Sequence, residues 1–383
     1  MAVQADKQFT EALSGLDVFL AELRRRTPRV PHASIVAGDL DLTRFGWLDG
    51  QIVPRAVITL RSVGCAWTRR GGGCTMCGHY AGACLEARPD PERLVAQFET
   101  AFAKVDWARF PMLCLYNGGS ILNKEELPDA ALDRILASIA AEPRIREVAI
   151  ETRAEFVSAS RLGRIKKRLA DRRLAVALGM ETARADVLAL CVHKGATLDA
   201  FAAACRVVRD NAMLRLYVLA KPPWLTEAEM LDDAVAAIKL AESLGAAEIH
   251  FEPLTIQRHT LLHLLWTTGR YRLPWLWSLV EILRRVAPTP VYVSPFAHLP
   301  RPIALPHNCG RCDGFVRERL LDVYNRTLDA SVFDALACAC QDDWRSALAA
   351  TDPRPLAERV LADLPGLWEA MERELPAEPR STR

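Results

Sequence analysis

The feature that most constrains how this chain can fold is an alternation. Seven short aliphatic and β-branched runs, "AVITLRS" (56–62), "MLCLYN" (112–117), "EVAIET" (147–152), "RLAVALGM" (173–180), "LRLYVLAK" (214–221), "EIHFEP" (248–253) and "PVYVSP" (290–295), recur along it. Between them apolar residues fall at helical spacing, as in "LPDAALDRILASIAAE" and "TEAEMLDDAVAAIKLAESLG". Strands that are apolar on both faces need cover on both, so the pattern predicts a parallel sheet with right-handed helical crossovers. This number of units curls into a full or partial TIM-like (β/α) barrel, an α/β fold. The expected organisation is a helical N-terminal extension over 1–50, the barrel over 51–300 and a small Cys-rich C-terminal module over 301–383. A chain of 383 residues, 50% hydrophobic, has apolar material for both a large core and a small module.

Charge and targeting signals narrow the partners. Lys and Arg total 49 against 47 acidic residues, a net charge of +2, so there is no global electrostatic case for nucleic acid or membrane. The first thirty residues lack a basic start followed by an apolar core, and no run reaches the roughly eighteen uncharged residues of a spanning helix. A cytoplasmic protein with no membrane partner is expected. In that reducing compartment the 11 cysteines point to metal or redox use rather than disulfides. One local patch, "RLGRIKKRLADRR" (161–173), gathers Arg164, Lys166, Lys167, Arg168, Arg172 and Arg173 on a short helix. It reads either as a phosphate-binding face or as a solvated outer helix, and the balanced total charge favours the second.

In barrels of this kind chemistry gathers where strands end. The loops after the first five expected strands read "SVGCAWTRRGGGCTMCGHY", "NGGSILN", "ETRAEF", "META" and "KPPWLTE", so their unusual residues converge on one mouth. Cys65, Cys74 and Cys77 share the first of these loops. Three thiolates can hold three irons of a cubane cluster and leave the fourth iron open, as a catalytic centre requires. The alternatives are a zinc site completed by His79, or buried thiols without a role.

The cysteine triad, the glycine pair after the second strand and "ETR" ending the third resemble the radical S-adenosylmethionine superfamily. The first gap is widened from the superfamily's commonest C-x3-C to C-x8-C, which resembles the branch containing the catalytic subunit of elongator. "GGGCTMCGHY", "GGSILN", "ETRAEF", "KPPWLTE", "YRLPWLWSLVEIL" and "PHNCGRCD" are similar to the radical enzyme of archaeosine synthesis, over approximately Arg55 to Trp344. The resemblance implies a 4Fe-4S cluster on Cys65, Cys74 and Cys77 whose open iron chelates S-adenosylmethionine. One electron from a reductant such as flavodoxin or ferredoxin then yields a 5'-deoxyadenosyl radical that abstracts hydrogen from substrate. It further implies cofactor contacts from Gly118, Gly119, Glu151, Arg153 and Glu181, with Ser120 standing where the family often has an acid. Lys194 is a candidate partner of the methionine carboxylate, against a solvated charge, and Tyr80 either lines the adenine pocket or packs.

In archaeosine synthesis the radical enzyme breaks a carbon–nitrogen bond of a lysine adduct on a deazaguanine of tRNA, so a lyase-type tRNA modification is expected. The alternatives are a radical enzyme, lyase or transferase, acting on a small metabolite or natural-product intermediate, and a non-enzymatic zinc-containing tRNA-binding module. Glu252, on the sixth strand, and Gln257 and Arg258, in the loop after it, are the candidate catalytic residues. His250 and Glu252 alternate with apolar neighbours, so one parity points into the barrel. Trp275, Leu276 and Leu279 fall on a helical stripe and are expected to pack. Near the end, Cys309 and Cys312 followed by Cys338 and Cys340 offer four soft ligands, with His307 in reserve, for zinc or an auxiliary iron-sulfur cluster. Cys84, Cys114, Cys191 and Cys205 read as ordinary buried thiols.

Overall fold

The computed structural model describes residues 2–84, 86, 88–296 and 299–376; residues 377–383 of the expected C-terminal module lie outside them. In chain order the elements that position the site are α1 (Ala2–Arg26), β1 (Asp39–Leu48), β2 (Gln51–Thr59), α2 (Ala66–Gly71), α3 (Pro91–Phe102), β3 (Met112–Tyr116), α4 (Asp129–Ala140) and β4 (Glu147–Thr152). They continue with α5 (Ala159–Leu169), β5 (Arg173–Glu181), α6 (Leu198–Arg209), β6 (Met213–Ala220), α7 (Glu227–Ser243), β7 (Glu248–Pro253), α8 (Leu261–Thr267), α9 (Leu276–Val286) and β8 (Val291–Val293). The eight strands pair strictly in chain order, β2 to β8 in parallel, and the sheet stops at β1 and β8. The fold is thus a partial barrel with a lateral seam between its two edge strands.

All seven expected strands form. The eighth, β1, lies in the stretch expected to be a helical extension, and it corrects that expectation for residues 39–48. It pairs antiparallel with β2 from Asp39↔Thr59 to Leu48↔Gln51, across a two-residue turn whose Asp49 and Gly50 have φ of 52° and 75°. Asp-Gly between apolar runs is the signature of that turn, because both central residues must be left-handed.

Strand alternation separates two environments. Ile58, Leu113, Leu115, Val148, Ile150, Val176, Leu216 and Phe251 point outward into the main core beneath the helices. The opposite parity faces inward, where Cys114, Ala149 and Ala175 form a small separate cluster. Such short side chains leave room, and charge occupies the floor. Arg215 is 1% exposed; its Nε donates to Glu248 at 2.6 Å, and Glu147 stands 3.7 Å from its other end. His250 lies 3.1 Å from the same Glu248 carboxylate. Burial opposes the Glu248 charge, but Arg215 and His250 hold its carboxyl well below the usual range, while burial pushes His250 down to about 4.

Outside the barrel, α1 packs on the helix Leu356–Glu374. The Phe19 and Trp368 rings meet edge-on at 5.1 Å, and a Cβ on Gly15 would come within 2.6 Å of the Leu364 methyl, so a side chain there would make Leu364 shift. Trp275, Leu276 and Leu279 are buried as expected, packing α9 against the barrel. Among the described residues no helix is long and apolar enough to cross a membrane.

Candidate active site at the barrel mouth

Cys65 sits at the start of α2, and Cys74 and Cys77 follow it after a three-glycine turn; all three are free thiols and half-buried. The turn runs against neighbours so closely that glycine is required. Gly72 and Gly73 have φ of 77° and 81°, and a Cβ on either would lie 2.6 Å from Leu20 or 2.4 Å from the Thr68 hydroxyl. Arg24, reaching from α1 and 4% exposed, holds the loop from behind. Its guanidinium donates to the carbonyls of Gly72, Cys74 and Cys77 at 2.8–3.0 Å and to His259 O at 2.9 Å. Thr75 adds a hydroxyl bond to Cys191 O, and Gly78 N donates to Gln257 Oε1 at 2.7 Å. The loop is therefore fixed from three directions before any metal binds.

Burial pushes the Cys77 thiol up to about 11 and raises Cys65 as well, with Arg24 and Arg153 pulling the other way. Loading a metal on these sulfurs would release protons, and two buried cations stand beside them to offset the thiolate charge. The triad does not meet as ligands of one ion do. Among the described residues the one group of His, Cys, Asp and Glu side chains with ligand atoms all within 4.8 Å of each other is elsewhere in the chain, so no fourth such side chain closes a single-ion site around Cys65, Cys74 and Cys77. A cluster distributes its cysteines over separate irons, which suits this wider set.

The loop after β3 leans on the cysteine loop through a carboxylate that sequence reasoning missed. Glu126 accepts from Ser120 N at 2.6 Å, Asn123 Nδ2 at 2.8 Å and Ala66 N, next to Cys65, at 2.9 Å. A Cβ on Gly119 would fall 2.0 Å from Glu126 Oε2, and Gly118 has φ of 66°. Gly119 is thus required by packing and Gly118 by its left-handed backbone. Ser120 is fully buried and accepts from Arg153 N at 3.1 Å. Nothing in "NKEELP" distinguishes Glu126 from its solvated neighbour Glu125; only the fold brings it back to residue 66.

On the opposite wall, Arg153 donates to Glu155 at 2.5 Å and to Lys194 O at 2.6 Å, with its guanidinium 5.7 Å from the Trp67 ring centre. Burial opposes its charge, but the Cys74 and Cys65 sulfurs raise its pKa. Lys194 Nζ donates to Glu181 Oε1 at 2.5 Å, so these two expected cofactor residues pair with each other.

A cavity of about 360 Å³ opens between the cysteine loop, represented by Met76, Cys77 and His79, and the barrel top, where Tyr116, Glu151 and Glu252 face inward. The Tyr116 and Tyr217 hydroxyls lie 3.4 Å apart. Burial, then the neighbouring Glu252, pushes Glu151 up to about 8; burial likewise lifts Glu252 to about 7, although it accepts from the Ser294 hydroxyl. A second cavity of about 240 Å³ shares Arg44, Arg55 and His250 with the first and extends past Phe45, Trp47 and Tyr292, on β1 and β8. The two cavities share a wall, and the second lies between the edge strands.

The structure places the remaining expected site residues as follows. Arg258 is exposed and does not line the cavity, since the loop turns it outward. Gln257 reaches the cavity edge, where it supports Gly78. Tyr80 packs against Gly64 and beneath Arg29. Glu151 lines the barrel cavity. On the basic helix α5, Arg161 and Arg164 pair with Asp129, Arg164 and Arg168 with Asp133, and Arg172 donates to carbonyls of residues 140 and 142. Much of that charge is neutralised within the protein. Cys84, Cys114, Cys191 and Cys205 are buried.

Far along the chain, Cys309, Cys312, Cys338 and Cys340 come together with Sγ–Sγ distances of 3.9, 3.9 and 3.7 Å. Four sulfurs about 2.3 Å from a central ion stand about 3.8 Å apart in a tetrahedron. The Trp277 Nε1–H donates to Cys340 Sγ at 3.3 Å and Asn308 to Cys312 at 3.4 Å. The N–H groups of Cys312 and Arg311 pull the exposed Cys309 thiol down to about 6. His307 is not in the group; its Nδ1 lies near Leu305 O.

No family model matches the chain. It is 30% identical over 335 residues to archaeosine synthase subunit beta of Methanosarcina acetivorans, covering 84% of this chain and 91% of that one. It is 29% identical over 298 residues to the protein of that name from Thermococcus kodakarensis, covering 75% and 89%. Among solved structures, Elp3 of Methanocaldococcus infernus superposes with a TM-score of 0.47 at 14% identity, over 68% of this chain and 61% of that one. Methylornithine synthase gives 0.44 at 14% identity, over 75% and 74%.

Proposed function

Because the chain belongs to the family of archaeosine synthase subunit beta, within the radical S-adenosylmethionine enzymes, we propose that it breaks a carbon–nitrogen bond of a lysine-modified deazaguanine in tRNA. The observation that carries this reading is the loop of three free cysteines, held by buried cations, opening on the same cavity as the inward-facing Glu151 and Glu252. When bound, a 4Fe-4S cluster on Cys65, Cys74 and Cys77 together with S-adenosylmethionine would supply a hydrogen-abstracting 5'-deoxyadenosyl radical. The protein's part is position and exclusion of water. Arg24 and Glu126 fix the cysteine loop, the glycine pair at 118 and 119 leaves backbone exposed beside it, and Arg153 and the Lys194–Glu181 pair supply charges for the amino and carboxylate groups of the sulfonium donor. Glu252 and Glu151 face the substrate end. Flavodoxin or ferredoxin is the expected class of reductant. At Cys309, Cys312, Cys338 and Cys340 we assign a single tetrahedral ion, zinc, rather than an auxiliary cluster, since the sulfurs stand at the spacing of one ion's ligands.

A second reading, action on a small metabolite, is favoured by one observation, the pairing of the α5 arginines with Asp129 and Asp133. Anaerobic reconstitution followed by reductant and S-adenosylmethionine should release 5'-deoxyadenosine, and Cys74→Ala should abolish that release. Deuterium carried from lysine-modified tRNA into 5'-deoxyadenosine supports the tRNA reading; transfer from small-molecule fractions alone supports the second. Full activity of Cys74→Ala rejects both.

A further inference from the structure

The charges lining the barrel cavity can be paired off one at a time. Asp39 holds Arg61 at 2.8 Å, Asp41 holds Arg44 at 2.6 Å, Glu181 holds Lys194 at 2.5 Å, and Glu252 accepts from Ser294. His250 is engaged by Glu248. Two charged side chains on the cavity wall then remain. Among the described residues Arg55 has no side-chain hydrogen-bond or ion-pair partner, and its Nε is shielded from solvent. The Glu151 carboxyl likewise has no hydrogen-bond or ion-pair partner among the described residues, with the Glu252 carboxyl as the first charge acting on it.

With no counterion among the described residues, each of these charges is left for a partner that enters the cavity to meet. They do not satisfy each other. Arg55 is in register with Met112, and Met112 with Glu147, so Glu151 stands four residues further along the strands, a displacement of about 13 Å. The wall between them carries the hydroxyls of Tyr116 and Tyr217 over the small side chains of Ala149 and Ala175. A cavity of about 360 Å³ with an unsatisfied cation at one level and an unsatisfied acid at another is complementary to a small molecule that bears both charges.

We propose that the barrel cavity receives the zwitterionic end of an amino-acid-bearing substrate, Arg55 taking its carboxylate and Glu151, backed by Glu252, taking its ammonium. This rests on the proposed function for what the rest of the substrate is, but the charge pairing stands without it. A guanidinium fork fits a carboxylate through two parallel hydrogen bonds. Two neighbouring acids, disfavoured as a pair of anions, are relieved by a cation placed against them.

The test uses the reconstituted full chain and three probes with the same butyl side chain: L-norleucine, hexanoate without the amine, and pentylamine without the carboxylate. Ligand-observed NMR should show saturable binding of L-norleucine, weakened at least about tenfold by either truncation. Arg55→Met should weaken L-norleucine about tenfold or more and leave pentylamine unchanged. Glu151→Gln should weaken L-norleucine and leave hexanoate unchanged. The ligand truncations are made on the unaltered protein, so the test survives a variant that does not fold. Absence of L-norleucine binding, or binding indifferent to either truncation, overturns the inference. Release of 5'-deoxyadenosine is measured on the same preparation. Release without selective binding sinks this inference and leaves the proposed function standing, whereas selective binding without release does the reverse.

Discussion

Individual residues show where sequence and fold part company. The triad cysteines were legible because they share one loop. Arg24 and Glu126 were not, since each acts on residues dozens of positions away, Arg24 on 72 to 77 and Glu126 on 66. Arg24→Met removes four charge-assisted bonds to carbonyls and should cost on the order of 3 kcal/mol. Its expected result is a lower melting temperature and iron retention well below that of the parent after gel filtration. Glu151 makes the opposite prediction for stability. Its folded pKa, raised to about 8, lies above the unfolded carboxyl's value near 4.5, so the folded state binds the extra proton between those values. Its contribution to stability is therefore fully present below about 4.5 and falls away as pH rises toward 8. Glu151→Gln should raise the melting temperature of the cluster-free protein at pH 8 and leave it little changed near pH 4; an equal gain at both would show that desolvation of the carboxylate is not the cause.

Among the elements, every expected strand formed because its apolar run was long enough to outweigh local ambiguity. The Asp49-Gly50 hairpin escaped because β1 carries Asp39, Asp41, Thr43 and Arg44 on a strand that is largely half-buried, which blurs its alternation; its turn dipeptide was the readable signal. The four late cysteines were legible as pairs, but whether they hold one ion or several depends on sulfur spacing, which only the fold supplies. One zinc per chain, independent of iron content, is the expected result of metal analysis. Cys338→Ser should release that zinc and, because Trp277 donates to Cys340 and Trp344 to Ser278, alter tryptophan fluorescence while the iron remains. Two or more additional irons per chain at this module would refute a single-ion site.

At the scale of the whole molecule, the sheet does not close on itself; Asn325 spans the gap between its edge strands, accepting from Trp47 on β1 and exchanging bonds with Val293 on β8. The fold class and the convergence of loops on one mouth were legible in the alternation of strands and helices. The seam was not, because it depends on which strands end the sheet. The docking of the helix Leu356–Glu374 on α1 carries a further consequence. The helix that supplies Arg24 is itself braced by the last helix described, like a latch whose catch is installed at the end of assembly. A chain still emerging from the ribosome has the thiols but lacks that brace, so iron acquisition should wait until synthesis is finished. Ending the chain after residue 350 should accordingly give a protein that takes up zinc yet fails to keep its iron, a difference that metal analysis of the two lengths, purified side by side, would reveal.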